Sequence, residues 1–209
     1  MLEQIKKTDI SFPLLPIIWG HACITYRGTI LQKSPFDYVL FRMVIEKIKP
    51  DLIIEIGCQN GGGALYMADI MEKIGDGSGI VHTIDVQDAR TDLVKEHPRI
   101  KYFGKGWQNY DITNAEGFKN IMVIDDGAHN YLDCIGALRK FSHLVPSGGS
   151  YIVEDGIVSR YDWKMFDGGP QRAIDEFFAE NDDFKVDRFW CDFFGENATF
   201  NMNGYLKKK

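Results

Sequence analysis

The chain has 209 residues, a length that suits one domain able to bury a core without disulfide bonds. Its 30 acidic and 24 basic residues give a formal net charge of −6, and this acidic balance argues against nucleic acid as the main partner. No apolar stretch is long enough for a transmembrane helix, and the charged N-terminus lacks the pattern of a secretory signal. We therefore expect a cytoplasmic protein without a membrane span.

Residues 1–33 are the least regular part of the chain. Pro13 and Pro16 are predicted to prevent a helix in this segment. We interpret it as an irregular N-terminal segment that serves as a lid or an oligomer contact. Residues 34–209 are predicted to form the folded domain that follows.

From residue 34 onward, short apolar runs alternate with helical patterns. The first helix is predicted to begin at the capping residue Ser34, with Pro35 in its first position, and to end before Pro50. Strands are predicted at 52–56, 80–86, 100–103, 121–125 and 150–154, and further helices at about 64–74, 130–143 and 170–180. Alternating aromatic and polar residues over 184–207 predict a closing hairpin. The fold class is therefore α/β, a mainly parallel doubly wound sheet with a C-terminal antiparallel hairpin.

A glycine-rich turn follows the first predicted strand. Gly57 and Gly61 allow the backbone to turn tightly and to approach a ligand, and Glu55 suits a cationic or amine-bearing ligand. Asp85 ends the second strand, where an acid can accept hydrogen bonds from both ribose hydroxyls. The turn departs from the dinucleotide fingerprint because Gln59 fills the second glycine position. These residues alone are also compatible with a nicotinamide or flavin nucleotide as the ligand, or with a turn that binds no ligand.

Acidic residues also follow the fourth and fifth predicted strands. Asp126, Glu154 and Asp155 are expected to converge because these strands should be neighbours in the sheet. Three carboxylates at one point repel each other unless a cation lies among them, and oxygen ligands fit Mg²⁺, Mn²⁺ or Ca²⁺ better than zinc. His129 is close enough in sequence to act there as a general base. The alternative is a pair of acidic turns without a ligand.

Together these motifs resemble the cephalosporin hydroxylase family, a set of S-adenosylmethionine (SAM)-dependent O-methyltransferases despite the name. The resemblance covers roughly residues 19–207. It depends on K-S-P-F-D at 33–37, K-P-D-L-I-I-E-I-G at 49–57, D-D-G-A-H at 125–129, Y-I-V-E-D at 151–155 and T-F-N-M-N-G-Y-L at 199–206. The chain departs from the family at Met202 and Asn203, where Pro-Gly is frequent.

The resemblance implies a Rossmann-like class I methyltransferase fold, bound SAM and a divalent metal, which we expect to be Mg²⁺. It implies that Asp126, Glu154 and Asp155 bind the metal and that His129 is the catalytic base. The predicted SAM-binding residues are Glu55, Gly57, Gly61, Asp85 and Asp125. The predicted reaction is metal-dependent methyl transfer to a hydroxyl of a sugar, a sugar-containing natural product or a glycan.

Two other functions stay open. The chain could be a catalytically silent interaction subunit with a methyltransferase fold, or a non-haem iron hydroxylase. A non-haem iron site needs two histidines and one carboxylate, and only His129 is expected near the acidic cluster. A homo-oligomer is compatible with each function. The acceptor is expected to contact residues 1–33 and the aromatic loop 156–168.

Overall fold

A seven-stranded sheet forms the centre of the protein, in a computed structural model that describes residues 14–74, 77–161 and 163–209. In chain order the strands are β1 (Thr25–Tyr26), β2 (Thr29–Ile30), β3 (Leu52–Ile56), β4 (Ile80–Ile84), β5 (Ile100–Phe103), β6 (Ile121–Asp125), β7 (Ser150–Val153), β8 (Phe184–Val186) and β9 (Tyr205–Lys208). The sheet order is β5-β4-β3-β6-β7-β9-β8, and β1 and β2 form a separate two-stranded ribbon.

The helices pack on both faces of this sheet. They are α1 (Leu14–His21), α2 (Pro35–Ile48), α3 (Gly62–Lys73), α4 (Asp92–Lys95), α5 (Tyr131–Phe141), α6 (Gly169–Glu180) and α7 (Arg188–Cys191). The predicted start of α2 is confirmed, because the Ser34 hydroxyl accepts a hydrogen bond from the Asp37 backbone N–H. None of these described helices combines the length and the apolar composition that crossing a bilayer requires.

Strand direction places the switch point of the sheet between β3 and β6. β3 pairs in parallel with both β4 and β6, and β7 continues the parallel part beyond β6. The chain thus builds outward from β3 in one direction and then returns to build outward in the other. At the carboxyl end, Ile56 is paired with Ile84 on one side and Asp125 on the other. The predicted fold class is confirmed, and a ligand is expected at this edge.

The core lies in two layers, one on each face of the sheet. Ile53, Ile124 and Ile152 pack with residues of α2 and α3. Their neighbours in the strands, such as Ile54 and Val123, pack with α5 and α6 on the opposite face. Because both faces are covered, the parallel strands are apolar without alternation, as their sequences indicated.

Two predicted features differ from the structure. The described part of the N-terminal segment contains α1 and the ribbon β1–β2, so the expectation that Pro16 prevents a helix is wrong. Pro16 lies in the first turn of α1, where the missing N–H has no helical partner to lose; Pro13 lies outside the described residues. The closing antiparallel pair β8–β9 is confirmed, but its strands are short and α7 lies between them.

Candidate active site

A cavity of about 510 Å³ lies at the carboxyl ends of β3 and β4 and beside the turn after β6. Its wall includes His21 and the segment 30–32 from the N-terminal region. The glycine turn, the loop after Asp85 and residues 126–129 complete most of the remaining wall. The cavity therefore occupies the switch point of the sheet and joins the two groups of residues that the sequence singled out.

Glycines line the cavity where neighbouring backbone comes too close for a side chain. Gly57 has a φ of +91°, and a Cβ atom there would lie 2.0 Å from the Asp126 carbonyl oxygen. A Cβ on Gly62 would lie 2.1 Å from the carbonyl oxygen of Ile30. Gly61 also has a left-handed φ, of +86°, but it is not among the described residues that line the cavity, and a Cβ atom there would lie 2.6 Å from Val94 Cγ1 of α4. These positions require glycine for packing of the turn against β2, α4 and the β6 loop, independently of any ligand.

Asp85 fixes the shape of the glycine turn. Its Oδ2 accepts hydrogen bonds from the backbone N–H groups of Cys58 and Gln59, both at 2.9 Å. Its Oδ1 accepts from the N–H groups of Val86 at 2.7 Å and Gln87 at 3.2 Å. Asp85 also lines the cavity, so it both orders the turn and presents a carboxylate to the site.

Glu55 lies beneath the glycine turn and is 2% exposed. Its Oε2 accepts a hydrogen bond from the Thr83 hydroxyl at 2.5 Å, and its Oε1 lies close to Gly63, where a Cβ atom would approach it to 2.4 Å. Burial raises the pKa of Glu55 from 4.5 to about 8, although the bond from Thr83 acts in the opposite direction. The neutral carboxylic acid is thus the favoured form near pH 7.

Replacing Glu55 with Gln should make the free energy of unfolding less dependent on pH. Protonated Glu55 stabilises the folded state fully below pH 4.5, and this stability is lost as pH rises towards about 8. The Gln variant cannot ionise, so its advantage over wild type should grow across that window by at most about 1.4 kcal/mol per pH unit. Urea unfolding at a series of pH values measures the difference. The exposed Glu116→Gln variant is the control, and an E55Q advantage that does not change with pH would contradict the prediction.

Asp125 is not among the described residues that line the cavity. As the last residue of β6 it follows Ile124, so its side chain points to the opposite face, towards Cys134 of α5. It is 4% exposed, and its Oδ2 has no hydrogen-bond partner among the described residues. Burial raises the pKa of Asp125 to about 8. Of the predicted SAM-binding residues, Glu55, Gly57 and Asp85 therefore line the cavity, whereas Gly61 and Asp125 are not among its described lining residues.

The structure brings Asp126, His129 and Asp155 together at the edge of the cavity. The His129 Nε2 atom lies 3.4 Å from Asp155 Oδ2 and 3.7 Å from Asp126 Oδ1. One donor atom from each of the three residues lies within 4.8 Å of the others. Both His129 and Asp155 have a positive φ, 54° and 53°, which is uncommon for residues other than glycine and recurs at functional sites. Two carboxylates and one imidazole at this spacing fit a divalent cation.

Glu154 lies next to this cluster but is held by Lys33, a residue that was not among the predicted site residues. Both Glu154 carboxylate oxygens lie 2.6 Å from the Lys33 Nζ atom, which is also 2.6 Å from Asp126 Oδ2. Glu154 and Lys33 are 3% and 4% exposed. Burial by itself would lower the pKa of Lys33, but the two carboxylates outweigh it and raise this pKa above its ordinary value. Glu154 and Asp126 thus hold the Lys33 ammonium group, while Asp126 and Asp155 lie next to the His129 imidazole.

The aromatic residues of the loop 156–168 lie against each other. The ring centroids of Tyr161 and Trp163 are 5.0 Å apart, and those of Trp163 and Phe166 are 5.7 Å apart. None of these three is among the described residues that line the cavity, whereas His21 from the N-terminal region is. Of the two regions expected to contact the acceptor, the N-terminal one contributes described residues to the cavity wall, and the described residues of 156–168 do not.

The chain matches a protein family over most of its length. The family described as Rhamnosyl O-methyltransferase/CmcI matches residues 21–209. Similar proteins include the rhamnosyl O-methyltransferase of Mycobacterium tuberculosis (strain ATCC 25618 / H37Rv), 25% identical over 198 residues that cover 91% of this chain and 79% of the relative. The rhamnosyl O-methyltransferase of Mycobacterium leprae (strain TN) is 26% identical over 193 residues, covering 88% and 83%.

Comparison with solved structures gives the same fold. A CmcI structure with Mg and SAM superimposes with a TM-score of 0.67 at 19% identity, covering 97% of this chain and 88% of that one. An O-methyltransferase from Bacillus cereus in complex with SAH superimposes with a TM-score of 0.60 at 14% identity, covering 99% and 96%. At these identities the likeness establishes a shared methyltransferase fold.

Proposed function

The chain belongs to the Rhamnosyl O-methyltransferase/CmcI family, and we propose that it transfers a methyl group from SAM to a sugar hydroxyl in a reaction that requires a divalent cation. The observation that carries this proposal is one cavity that joins the glycine turn and Asp85 to the cluster of Asp126, His129 and Asp155. The names of the mycobacterial relatives support a sugar as the methyl acceptor.

SAM would lie along the glycine turn. Gly57 would allow its close approach to the backbone at the cavity wall, Gly61 would keep the turn tight, and Asp85 would offer carboxylate oxygens for the ribose hydroxyls. Glu55 lies under the same turn and lines the cavity, where it would face the positively charged part of the cofactor. A SAM-bound CmcI structure with the same fold supports this assignment.

Asp126, Glu154 and Asp155 would hold the divalent cation, which we propose to be Mg²⁺. When bound, SAM supplies an activated methyl group and the cation lowers the pKa of the acceptor hydroxyl. His129 Nε2 would accept the proton of the acceptor hydroxyl, whose oxygen would take the methyl group, with S-adenosylhomocysteine as the leaving group. The carboxylates of Asp126 and Asp155, at 3.7 and 3.4 Å, would then stabilise the imidazolium. Orientation of the acceptor oxygen towards the methyl group is the main contribution of the chain to the rate.

Methyl transfer to a panel of glycosides with vicinal hydroxyls tests the proposal by the mass of the products. We expect methylation that EDTA stops and added Mg²⁺ restores. Asp126→Asn should lower the rate by about 10²-fold or more. It removes one charged ligand of the cation and one of the carboxylates that stabilise the protonated form of His129. The exposed Asp182→Asn is the matched control and should leave the rate unchanged. Full activity in EDTA would rule out the cation, and transfer only to acceptors that lack a sugar would rule out the substrate class.

A non-haem iron hydroxylase receives no support from the cluster. Such a site takes two histidines and one carboxylate, whereas the group among the described residues holds one histidine and two aspartates.

A further inference from the structure

Lys33 is a buried lysine whose ammonium group is fully engaged by two carboxylates of the proposed metal site. Its Nζ atom lies 2.6 Å from both oxygens of Glu154 and 2.6 Å from Asp126 Oδ2. The ring of Phe41 covers it from another side, with 5.2 Å between Nζ and the ring centroid. A buried charge of this kind is stable only while its partners remain in place.

The segment that contains Lys33 has little freedom to move away. Ser34, the next residue, caps α2 and donates its hydroxyl hydrogen to Asp37, which is 1% exposed. Asp37 in turn accepts hydrogen bonds from Phe200 N–H and the Tyr205 hydroxyl, both at 2.9 Å. These hydrogen bonds fix the backbone next to Lys33, so its side chain stays directed at the carboxylates.

Asp126 is shared between the lysine and the three-residue cluster. Its Oδ2 contacts Lys33, while its Oδ1 faces His129 at 3.7 Å. A divalent cation bound by Asp126 and Asp155 would lie close to the ammonium group across one carboxylate, where like charges repel. To use Glu154 as a ligand, the cation would also have to take its oxygens from Lys33.

We propose that Lys33 is a built-in counterion: it positions Glu154 and Asp126 when no divalent cation is bound, and it competes with the cation and so lowers the affinity of the site. This inference rests on the proposed metal site. Lys33 is then a positioning residue. It weakens cation binding, and it stabilises the cation-free protein.

Lys33→Met tests the competition because it keeps the length of the side chain and removes the charge. Mg²⁺ binding to EDTA-stripped protein, measured by calorimetry without SAM, should be about tenfold tighter or more in K33M than in wild type. Thermal unfolding in EDTA should occur at a lower temperature in K33M, since Glu154 then remains buried without a partner. Lys95→Met, whose side chain is 44% exposed, is the control and should change neither quantity.

The double variant K33M/E154Q separates the counterion role from general damage to the fold. Because it removes both charges, its melting temperature in EDTA should recover most of the loss seen in K33M. Equal or weaker Mg²⁺ binding in K33M would overturn the competition, and an unchanged melting temperature would overturn the counterion role. If neither wild type nor any variant binds Mg²⁺, both the proposed metal site and the competition are wrong. The melting temperatures would still decide whether Lys33 stabilises buried Glu154.

Discussion

His129→Ala is expected to lower kcat for methyl transfer by about 10² to 10⁴-fold while leaving Mg²⁺ affinity within a few-fold of wild type. The imidazole lies 3.4 and 3.7 Å from the carboxylates of Asp155 and Asp126, at the wall of the cavity. A base at this position can take the proton of the acceptor hydroxyl. The carboxylates of Asp155 and Asp126 then stabilise the imidazolium that forms. The alanine variant removes the proton acceptor and leaves the carboxylates.

Steady-state methyl transfer and calorimetric Mg²⁺ titration of the same H129A preparation measure the two quantities. The exposed His143→Ala variant controls for the loss of any histidine and should match wild type in both. Because His129 belongs to a group that could ligate a cation, its role as a base is tested by the split between the measurements. A parallel loss of Mg²⁺ affinity would assign His129 to the metal instead, and an unchanged kcat would eliminate it as the base.

Asp37→Ala is expected to lower the free energy of unfolding by about 3 to 5 kcal/mol. The Asp37 carboxylate accepts hydrogen bonds from the hydroxyls of Ser34, Thr199 and Tyr205 and from the backbone N–H of Phe200. All of these donors lie in the buried junction between the start of α2 and the C-terminal segment. Each donor left without an acceptor costs about 1 to 3 kcal/mol, partly offset by rearrangement.

Urea unfolding followed by tryptophan fluorescence measures the loss, with an unchanged m-value showing that the transition stays two-state. Asp92→Ala is the matched control, because the Asp92 side chain is 92% exposed and should contribute less than about 0.5 kcal/mol. Asp37→Asn keeps one oxygen acceptor and should fall between wild type and D37A. A loss in D37A no larger than that in D92A would contradict the role of Asp37 as the link between the two segments.

The residues of the K-S-P-F-D motif at 33–37 have two separate structural roles. Ser34 and Pro35 begin α2, as the sequence predicted. Lys33 and Asp37 instead make contacts with residues more than 90 positions away, at 126, 154 and 199–205. No local pattern in the sequence distinguishes a buried lysine from an exposed one next to a helix cap, so only the resemblance to a family pointed to them.

Asp125 shows a second limit of the sequence. Asp125 and Asp126 are adjacent acids after an apolar strand, and the strand is buried on both faces, so its composition does not tell which face is which. The structure places Asp126 at the cavity and Asp125 beneath α5. The N-terminal segment adds a third limit, because Pro16 was expected to prevent a helix but lies in the first turn of α1, where proline is tolerated.

The sequence by itself determined the alternation of the parallel strands with their long helices from residue 34 onward, and the edge of the sheet where the chemistry lies. Those features follow from local periodicity and from glycines and acids at strand ends, and the chain direction then requires the carboxyl ends of parallel strands to meet. Only the tertiary structure decided which acids face the cavity, that Lys33 lies among them, and that Glu55 and Asp125 are buried. Contacts between distant segments set burial and charge partners, and these long-range contacts leave no periodic trace in the chain.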